Sequence, residues 1–171
     1  MSIYHSLSEE DQQLAVTEGR TRTDDCIAVG TGGRNKQLDH SRSQLAIQTE
    51  GVIGEIAVAR AFGLEFIPSY RGRRWTNSYD LLDKNGNRID VKATNKPRGR
   101  LMLYKPKPTD KNQYQNIDLF VSTRVHRYPP LVEIVGWAWK ADLMRDENLE
   151  DWGYGPTYFL NEHDPRFHKI T

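Results

Sequence analysis

The stretch YDLLDKNGNRIDVKATN, residues 79–95, places two aspartates and a lysine around an Asn-Gly turn signal. A two-residue loop would put Asp80 and Asp90 on opposite faces of the hairpin, because side chains alternate along a strand. A three-residue loop with Gly86 in the left-handed conformation pairs Asp80 with Asp90 instead. In that register Asp80, Asp90 and Lys92 all project from one face.

Two like charges opposite each other on a sheet are unfavourable, so a cation is expected between Asp80 and Asp90. Lys92 alone does not balance the two carboxylates, so a divalent metal is the better candidate for this cation. Mg²⁺ prefers hard oxygen ligands, keeps several waters and is commonly held by one or two carboxylates. On the same face, Lys92 would orient or deprotonate a metal-polarised water, or offset charge on a phosphoryl group. The spacing alone is weak support, because acidic-x-Lys triplets also arise by chance.

Helical and strand-like patterns surround the hairpin. Ser8 and the acidic residues behind it predict a short helix towards Glu18, and apolar residues recur at helical spacing from about residue 43 to Gly63. KADLMRDENL predicts another short helix. Strands are predicted in LEFIP, YDLLD, NRIDVKA, LMLYK, IDLFVSTRVH and LVEIVGWAWK, and one more at residues 157–160. This order predicts an α/β or α+β fold with a mixed central β-sheet.

One carboxylate in the long predicted helix is unusual. Glu55 shares a helix stripe with small and apolar residues, where a carboxylate is costly unless it is paired or bound to metal. A boundary glutamate whose head reaches water is the alternative. Glu50 lies five residues earlier and points to a different side of the helix, so the two glutamates cannot serve one site.

Charge is distributed unevenly along the chain. The net charge is only +1, which gives no whole-protein argument for binding nucleic acid. Residues 71–100 carry nine Lys or Arg against three Asp, whereas residues 141–164 carry seven acidic residues against one Arg. This charge distribution would produce an electrostatic field that steers polyanions to the basic centre. A solvated loop surface explains the same pattern.

Cysteine content and hydropathy predict a cytoplasmic protein that does not enter the membrane. Cys26 is the one cysteine, which rules out an internal disulfide and suits a reducing compartment. The apolar runs are far shorter than the ~20 residues of a membrane span.

Four segments in order resemble the PD-(D/E)xK nuclease superfamily: EGVIGEIAVARAFGL, the hairpin stretch, DLFVSTRV and EIVGWAWKADL. The resemblance runs from about residue 49 to residue 143, and its specificity comes from the order of short motifs. Tyr79 stands where the name-giving proline would be. The fold it implies is restriction-endonuclease-like, a mixed central β-sheet flanked by helices. One domain is expected over 1–171, with an N-terminal extension at 1–40, a catalytic core at 43–143 and a tail at 144–171.

The resemblance also implies a metal site. Asp80 matches the first metal-binding aspartate, Asp90 and Lys92 match the acidic residue and lysine of the triplet, and Glu55 matches a helical glutamate. The backbone carbonyl of Val91 would be a further ligand. The implied activity is Mg²⁺-dependent hydrolysis of DNA to 5′-phosphate and 3′-hydroxyl ends, with Mn²⁺ expected to substitute.

Two basic clusters flank the hairpin and are predicted to bind nucleic acid. Cleavage of both strands would favour a homodimer. A non-catalytic nucleic-acid-binding or inhibitory protein that retains the fold is the alternative function, and a protein-interaction module in which the two aspartates merely pair with arginines is another. The clusters are Arg71, Arg73 and Arg74 before the hairpin and Lys96, Arg98 and Arg100 after it.

Overall fold

The computed structural model describes residues 2–28, 43–68, 79–110, 112–126, 130–151, 153 and 155–170. The helices and strands follow one another in a mixed α/β order. They are β1 (Ile3–Ser6), α1 (Glu9–Ala28), α2 (Gln44–Phe62), β2 (Leu81–Leu82), β3 (Arg88–Thr94), β4 (Leu101–Tyr104), β5 (Leu119–His126), β6 (Leu131–Trp139), α3 (Lys140–Leu143), β7 (Leu149–Asp151), β8 (Pro156–Leu160) and β9 (His168–Lys169).

Both long helices begin at a serine. The Asp11 N–H donates to Ser8 Oγ at 3.1 Å, and the Ala46 N–H donates to Ser43 Oγ at 3.1 Å. These bonds satisfy N–H groups that the first helical turn leaves without partners. α2 ends as predicted at Gly63, which has φ 61 and ψ 40, a left-handed conformation that glycine adopts without strain.

The main sheet has six strands in the order β1-β6-β5-β3-β2, and β9 also pairs with β6. β3 and β5 run parallel, with Asp90 opposite Phe120 and Lys92 opposite Ser122. The other pairs in this sheet are antiparallel. An α/β fold with a mixed central sheet is therefore confirmed.

The two faces of the main sheet have different coverings. α2 packs on the face that carries Val91, Val121 and Ile134, and α1 packs on α2. A second sheet, in the order β4-β8-β7, shares the other core with Phe120 and Val135. The short helix α3 also packs on this side through Leu143.

The segments outside residues 43–143 join both sheets. β1 pairs with β6 through Ile3 opposite Ile134, and β8 pairs with β4 through Leu160 opposite Leu101. Within the described residues, no helix is long and apolar enough to cross a membrane.

Two expectations about secondary structure were wrong. LEFIP forms no strand, although Phe66 is buried and its neighbours are exposed, because the segment pairs with no described strand. α1 extends ten residues beyond the predicted end at Glu18, to Ala28. Its C-terminal half is polar, and contacts with α2 rather than an apolar stripe stabilise it.

Candidate active site

The hairpin has the three-residue register. Leu81 lies opposite Ile89 and Leu82 opposite Arg88, and Gly86 has φ +82. Regular pairing stops at Leu81, and the chain bends at Asp80. At this bend the Asp80 side chain, rather than its backbone, accepts the next hydrogen bond from β3. The Val91 N–H donates to Asp80 Oδ2 at 2.8 Å. Asp80 is thus fixed at the edge of β3.

Lys92 pairs with one aspartate of the hairpin and is within electrostatic reach of the other. Its Nζ lies 2.5 Å from Asp90 Oδ1, and the Lys92 side chain keeps 36% of its surface exposed. Burial lowers the pKa of Lys92, but the charges of Asp90 and then Asp80 outweigh it and raise that pKa above its ordinary value. Both carboxylates therefore act on one ammonium group, as the hairpin register predicted.

The backbone of β3 also presents an oxygen at this edge. The N–H and C=O of one strand residue point to the same neighbouring strand. The Val91 N–H points to Asp80, and the Lys92 carbonyl lies on the β5 side, 3.5 Å from Thr123 Oγ1. The Val91 carbonyl therefore points towards Asp80 rather than into the β5 ladder.

Glu55 approaches the site from α2 and is 3% exposed. Arg22 of α1 binds it with two parallel hydrogen bonds, Nη1 to Oε1 at 2.6 Å and Nη2 to Oε2 at 2.7 Å. The Nε of Arg22 donates to Glu18 Oε1 at 2.8 Å, and Glu18 is fully buried. The cost of burying Glu55 is thus offset by a paired guanidinium.

Arg22 is the connection between Glu55 and the hairpin. Burial lowers the pKa of Arg22, but Glu55 outweighs it, with further contributions from Asp80 and Glu18, and the pKa is raised. Asp80 is therefore within electrostatic reach of Arg22 on one side and of Lys92 on the other. The structure brings Asp90 and Lys92 into contact, places Asp80 on the Val91 N–H between them in sequence, and pairs Glu55 with Arg22.

The donors of this site suit magnesium. The carboxylates are Glu18, Glu55, Asp80 and Asp90, and the cations are Arg22 and Lys92, so four negative and two positive charges leave a formal charge of −2. One divalent ion would balance that charge. Across the described part of the chain, no three or more His, Cys, Asp or Glu side chains form a metal-binding group. Two carboxylates and one carbonyl nevertheless match Mg²⁺, which keeps several waters.

Glu55 would need a rearrangement to serve as a direct ligand. Both of its carboxylate oxygens accept hydrogen bonds from Arg22. Direct coordination would weaken one of these bonds, whereas contact through a water would preserve both.

The basic cluster after the hairpin lies in the turn between β3 and β4. Lys96 and Arg98 are exposed, and the Gly99 N–H donates to the Lys96 carbonyl at 3.0 Å. The guanidinium of Arg100 lies 4.9 Å from the ring centroid of Phe159 and 3.9 Å from Glu150 Oε1. Arg71, Arg73 and Arg74 lie outside the described residues.

Two residues beside the site were missed in the sequence. Glu18 and Arg22 are four apart on a helix, a spacing that permits an ion pair, and this was the available signal. The contact of Arg22 with Glu55 spans 33 residues and has no local signature.

The chain matches no protein-family model and no curated protein. Functional inference therefore rests on the geometry of the hairpin, of α2 and of the second sheet.

Proposed function

We propose that the protein is a metal-dependent deoxyribonuclease with a restriction-endonuclease-like fold that hydrolyses phosphodiester bonds to 5′-phosphate and 3′-hydroxyl ends. One observation carries the proposal: at one edge of β3, Lys92 pairs with Asp90, and Asp80 accepts from the Val91 N–H on the side to which the Val91 carbonyl points. Bound Mg²⁺, or Mn²⁺ in its place, would supply a polarised water and charge neutralisation at the phosphate.

The protein side chains have distinct parts in this proposal. The metal would be held directly by Asp80, Asp90 and the Val91 carbonyl, and by Glu55 through a water. Lys92 lies against Asp90 as an ammonium group, which has three donors and no lone pair. It would therefore orient the attacking water or stabilise charge on the phosphoryl oxygens, rather than remove a proton.

Cleavage assays test the proposal directly. Supercoiled plasmid, linear duplex, branched and single-stranded DNA would be incubated with Mg²⁺, Mn²⁺ or EDTA. We expect metal-dependent cleavage that falls at least ~100-fold in Lys92→Ala and Asp90→Asn, the loss typical of a group that acts on the reacting atoms. Product ends that DNA ligase rejoins would identify 5′-phosphates and 3′-hydroxyls.

Lys84→Ala is the matched control, since Lys84 is exposed in the turn of the same hairpin. It should keep full cleavage. Equal activity of wild type, Lys92→Ala and Asp90→Asn would show that a contaminating nuclease, and not this hairpin, cuts the DNA.

Metal binding gives a second readout that needs no cleavage. Because a ligand that binds only the folded state stabilises it, Mg²⁺ should raise the Tm of the wild type. The rise should be lost in Asp90→Asn and kept in Lys84→Ala. A Tm that is the same in Mg²⁺ and EDTA would contradict the metal site.

One observation favours the alternative of a non-catalytic nucleic-acid-binding protein. Glu55 and Asp90 already pair with Arg22 and Lys92, so the carboxylates have cationic partners without a metal. Such a protein would bind DNA equally well in EDTA and in Mg²⁺ and would cleave none of the four substrates.

A further inference from the structure

A cavity of about 330 Å³ opens between the two sheets beside the candidate active site. Arg98, Arg100 and Arg124 line it, together with one carboxylate, Glu162. We propose that this cavity binds one unpaired nucleotide of the DNA substrate, with its phosphate on the arginines. The proposal rests on the proposed function, whose substrate class it narrows to DNA that offers an unstacked nucleotide.

The cavity lies on the same face of the main sheet as Lys92. Residues that pair across parallel strands project to the same side, and Lys92 is opposite Ser122, which lines the cavity. Thr94 is opposite Arg124, two residues further along. Thr123, between these two positions, faces α2 instead, since a Cβ on Gly54 would lie 2.7 Å from its Oγ1. Lys92, Ser122 and Arg124 therefore project from one face of the main sheet.

Arg124 lines the cavity and is held there by hydrogen bonds from its two Nη atoms. The residue is 9% exposed, and its Nη2 donates to Glu162 Oε2 at 3.0 Å and to the Gly99 carbonyl at 3.4 Å. Its Nη1 lies 3.5 Å from Glu133 Oε2. Its Nε is buried without a hydrogen-bond partner. A buried donor of this kind is costly, so Arg124 gains from any shift that brings its Nε to an acceptor.

Charge and shape indicate the chemical class of the ligand. Three guanidinium groups line the cavity, and arginine forks match the oxygens of phosphate. Arg124 is paired with Glu133 and Glu162, and Arg100 with Glu150, so an incoming anion competes with these carboxylates. The rest of the wall includes Phe167 and Val135, which provide an apolar surface for a base. The volume is at the lower end of small-molecule sites and far too small for a duplex.

The size of the cavity therefore selects a nucleotide that has left the base stack. An unpaired or mismatched nucleotide is the least costly to unstack. Flaps, single strands and branch points supply such nucleotides, whereas a fully paired duplex does not.

Mononucleotide binding by the full-length protein in EDTA tests the site without the metal or cleavage. Calorimetry would compare thymidine 5′-monophosphate, thymidine and inorganic phosphate. We expect the monophosphate to bind at least ~10-fold more tightly than either, because it alone satisfies both the arginines and the apolar wall. Equal affinity for the monophosphate and thymidine, or for the monophosphate and phosphate, would overturn the proposal.

Two variants with opposite expected effects keep the test independent of folding. Glu162→Gln removes the competing carboxylate and should bind the monophosphate several-fold more tightly. The double variant Arg98→Gln/Arg100→Gln should bind it at least ~10-fold more weakly. Lys107→Gln is the control, since Lys107 is exposed beyond the other end of β4, and its affinity should match wild type. Failure of both effects would refute the site.

Binding of a single-stranded oligothymidylate distinguishes a cavity for a nucleotide within a DNA strand from a cavity for a free nucleotide. The oligothymidylate should bind more tightly than the monophosphate, and weaker binding would overturn the assignment to DNA. In cleavage assays the double variant should lose the preference for flap over paired duplex, whereas Lys92→Ala should lose cleavage of both. If no substrate is cut, the proposed function fails while the mononucleotide result stands.

Discussion

At the scale of single residues, the environment of Glu55 decides how a buried carboxylate is tolerated. Glu55 and Glu18 both bind one guanidinium, Arg22, in the interface between α1 and α2. We infer that Arg22 is a positioning residue. It holds the Glu55 carboxylate in one orientation and acts electrostatically on Asp80, without a place among the metal ligands.

Arg22→Met should destabilise the protein by about 3–5 kcal/mol, because it leaves two buried carboxylates without their cation. Urea unfolding measures this change. Arg60→Met is the matched control: Arg60 also joins α1 to α2, through Asp11, but its side chain is 44% exposed. Arg60→Met should lower the free energy of unfolding by about 0–1 kcal/mol.

A similar loss for both arginines would contradict the importance of burial. In the double variant Arg22→Met/Glu55→Gln, the cost should be smaller than in Arg22→Met alone, because the unpaired charge at Glu55 is removed.

Contacts between residues of the hairpin could be predicted from the sequence, and contacts between residues of different helices could not. The turn allowed two registers, and the pairing of Leu81 with Ile89 selects the three-residue loop, in which Asp80 and Asp90 are opposite each other. The partner of Glu55 depends on how α1 crosses α2. A pattern in one helix carries no information about that crossing.

At the scale of elements, α2 is the support of the site, and its glycines have different functions. A Cβ at Gly51 would have nothing within 4 Å. A Cβ at Gly54 would lie 2.7 Å from Thr123 Oγ1 and 3.0 Å from Ala93 Cβ. The close approach of α2 to β3 and β5 thus depends on Gly54.

The two alanine substitutions should therefore change stability in opposite directions. Gly51→Ala should stabilise the protein by about 0.5–1 kcal/mol, since alanine loses less backbone entropy in a helix. Gly54→Ala should destabilise it by about 1–3 kcal/mol through overpacking. Urea unfolding of both variants checks the signs, and stabilisation by Gly54→Ala would show that α2 can move off the sheet at little cost.

Strands were predicted well where residue pattern and pairing agree. β5 and β6 are long and β-branched, and both lie in the centre of the main sheet. LEFIP has the alternating pattern of a strand but pairs with no described strand. β1 forms a strand although it has only four residues and its tyrosine, Tyr4, is exposed. Pairing is a tertiary property, so pattern alone decides neither case.

At the scale of the whole molecule, two arginine–aspartate ion pairs contribute to the response to acid. Arg88, at the start of β3, binds Asp118 before β5 through Nε and Nη2, each at 2.8 Å, and through its backbone N–H. The side-chain bonds from Arg88 lower the pKa of Asp118 to about 2. Asp164 has a pKa of about 2 for the same kind of reason, a paired arginine, Arg166.

These shifts predict a loss of stability in acid. The unfolded chain, with an Asp pKa near ~3.9, binds more protons than the folded chain, so the free energy of unfolding rises with pH across this window. The stabilisation should be complete above about pH 4 and should fall as pH drops towards 2. Urea midpoints measured from pH 2.5 to 6 would show it.

Asp118→Asn and Arg88→Gln should each flatten part of this acid dependence, because either change removes the pair. Both variants should also be less stable than wild type at pH 6. An unchanged slope in the two variants would assign the acid sensitivity to other carboxylates.

The parallel pairing of β3 with β5 has a consequence for synthesis on the ribosome. The chain between these strands carries β4, whose partner β8 ends at Leu160, and the cavity beside Lys92 also needs Phe167. Domains fold as their residues emerge, N-terminal parts first. The hairpin with both aspartates can thus form early on the ribosome, but the wall opposite it is absent until residue 167 has emerged. A nascent chain stalled before β8 would present the hairpin with both aspartates but without the cavity.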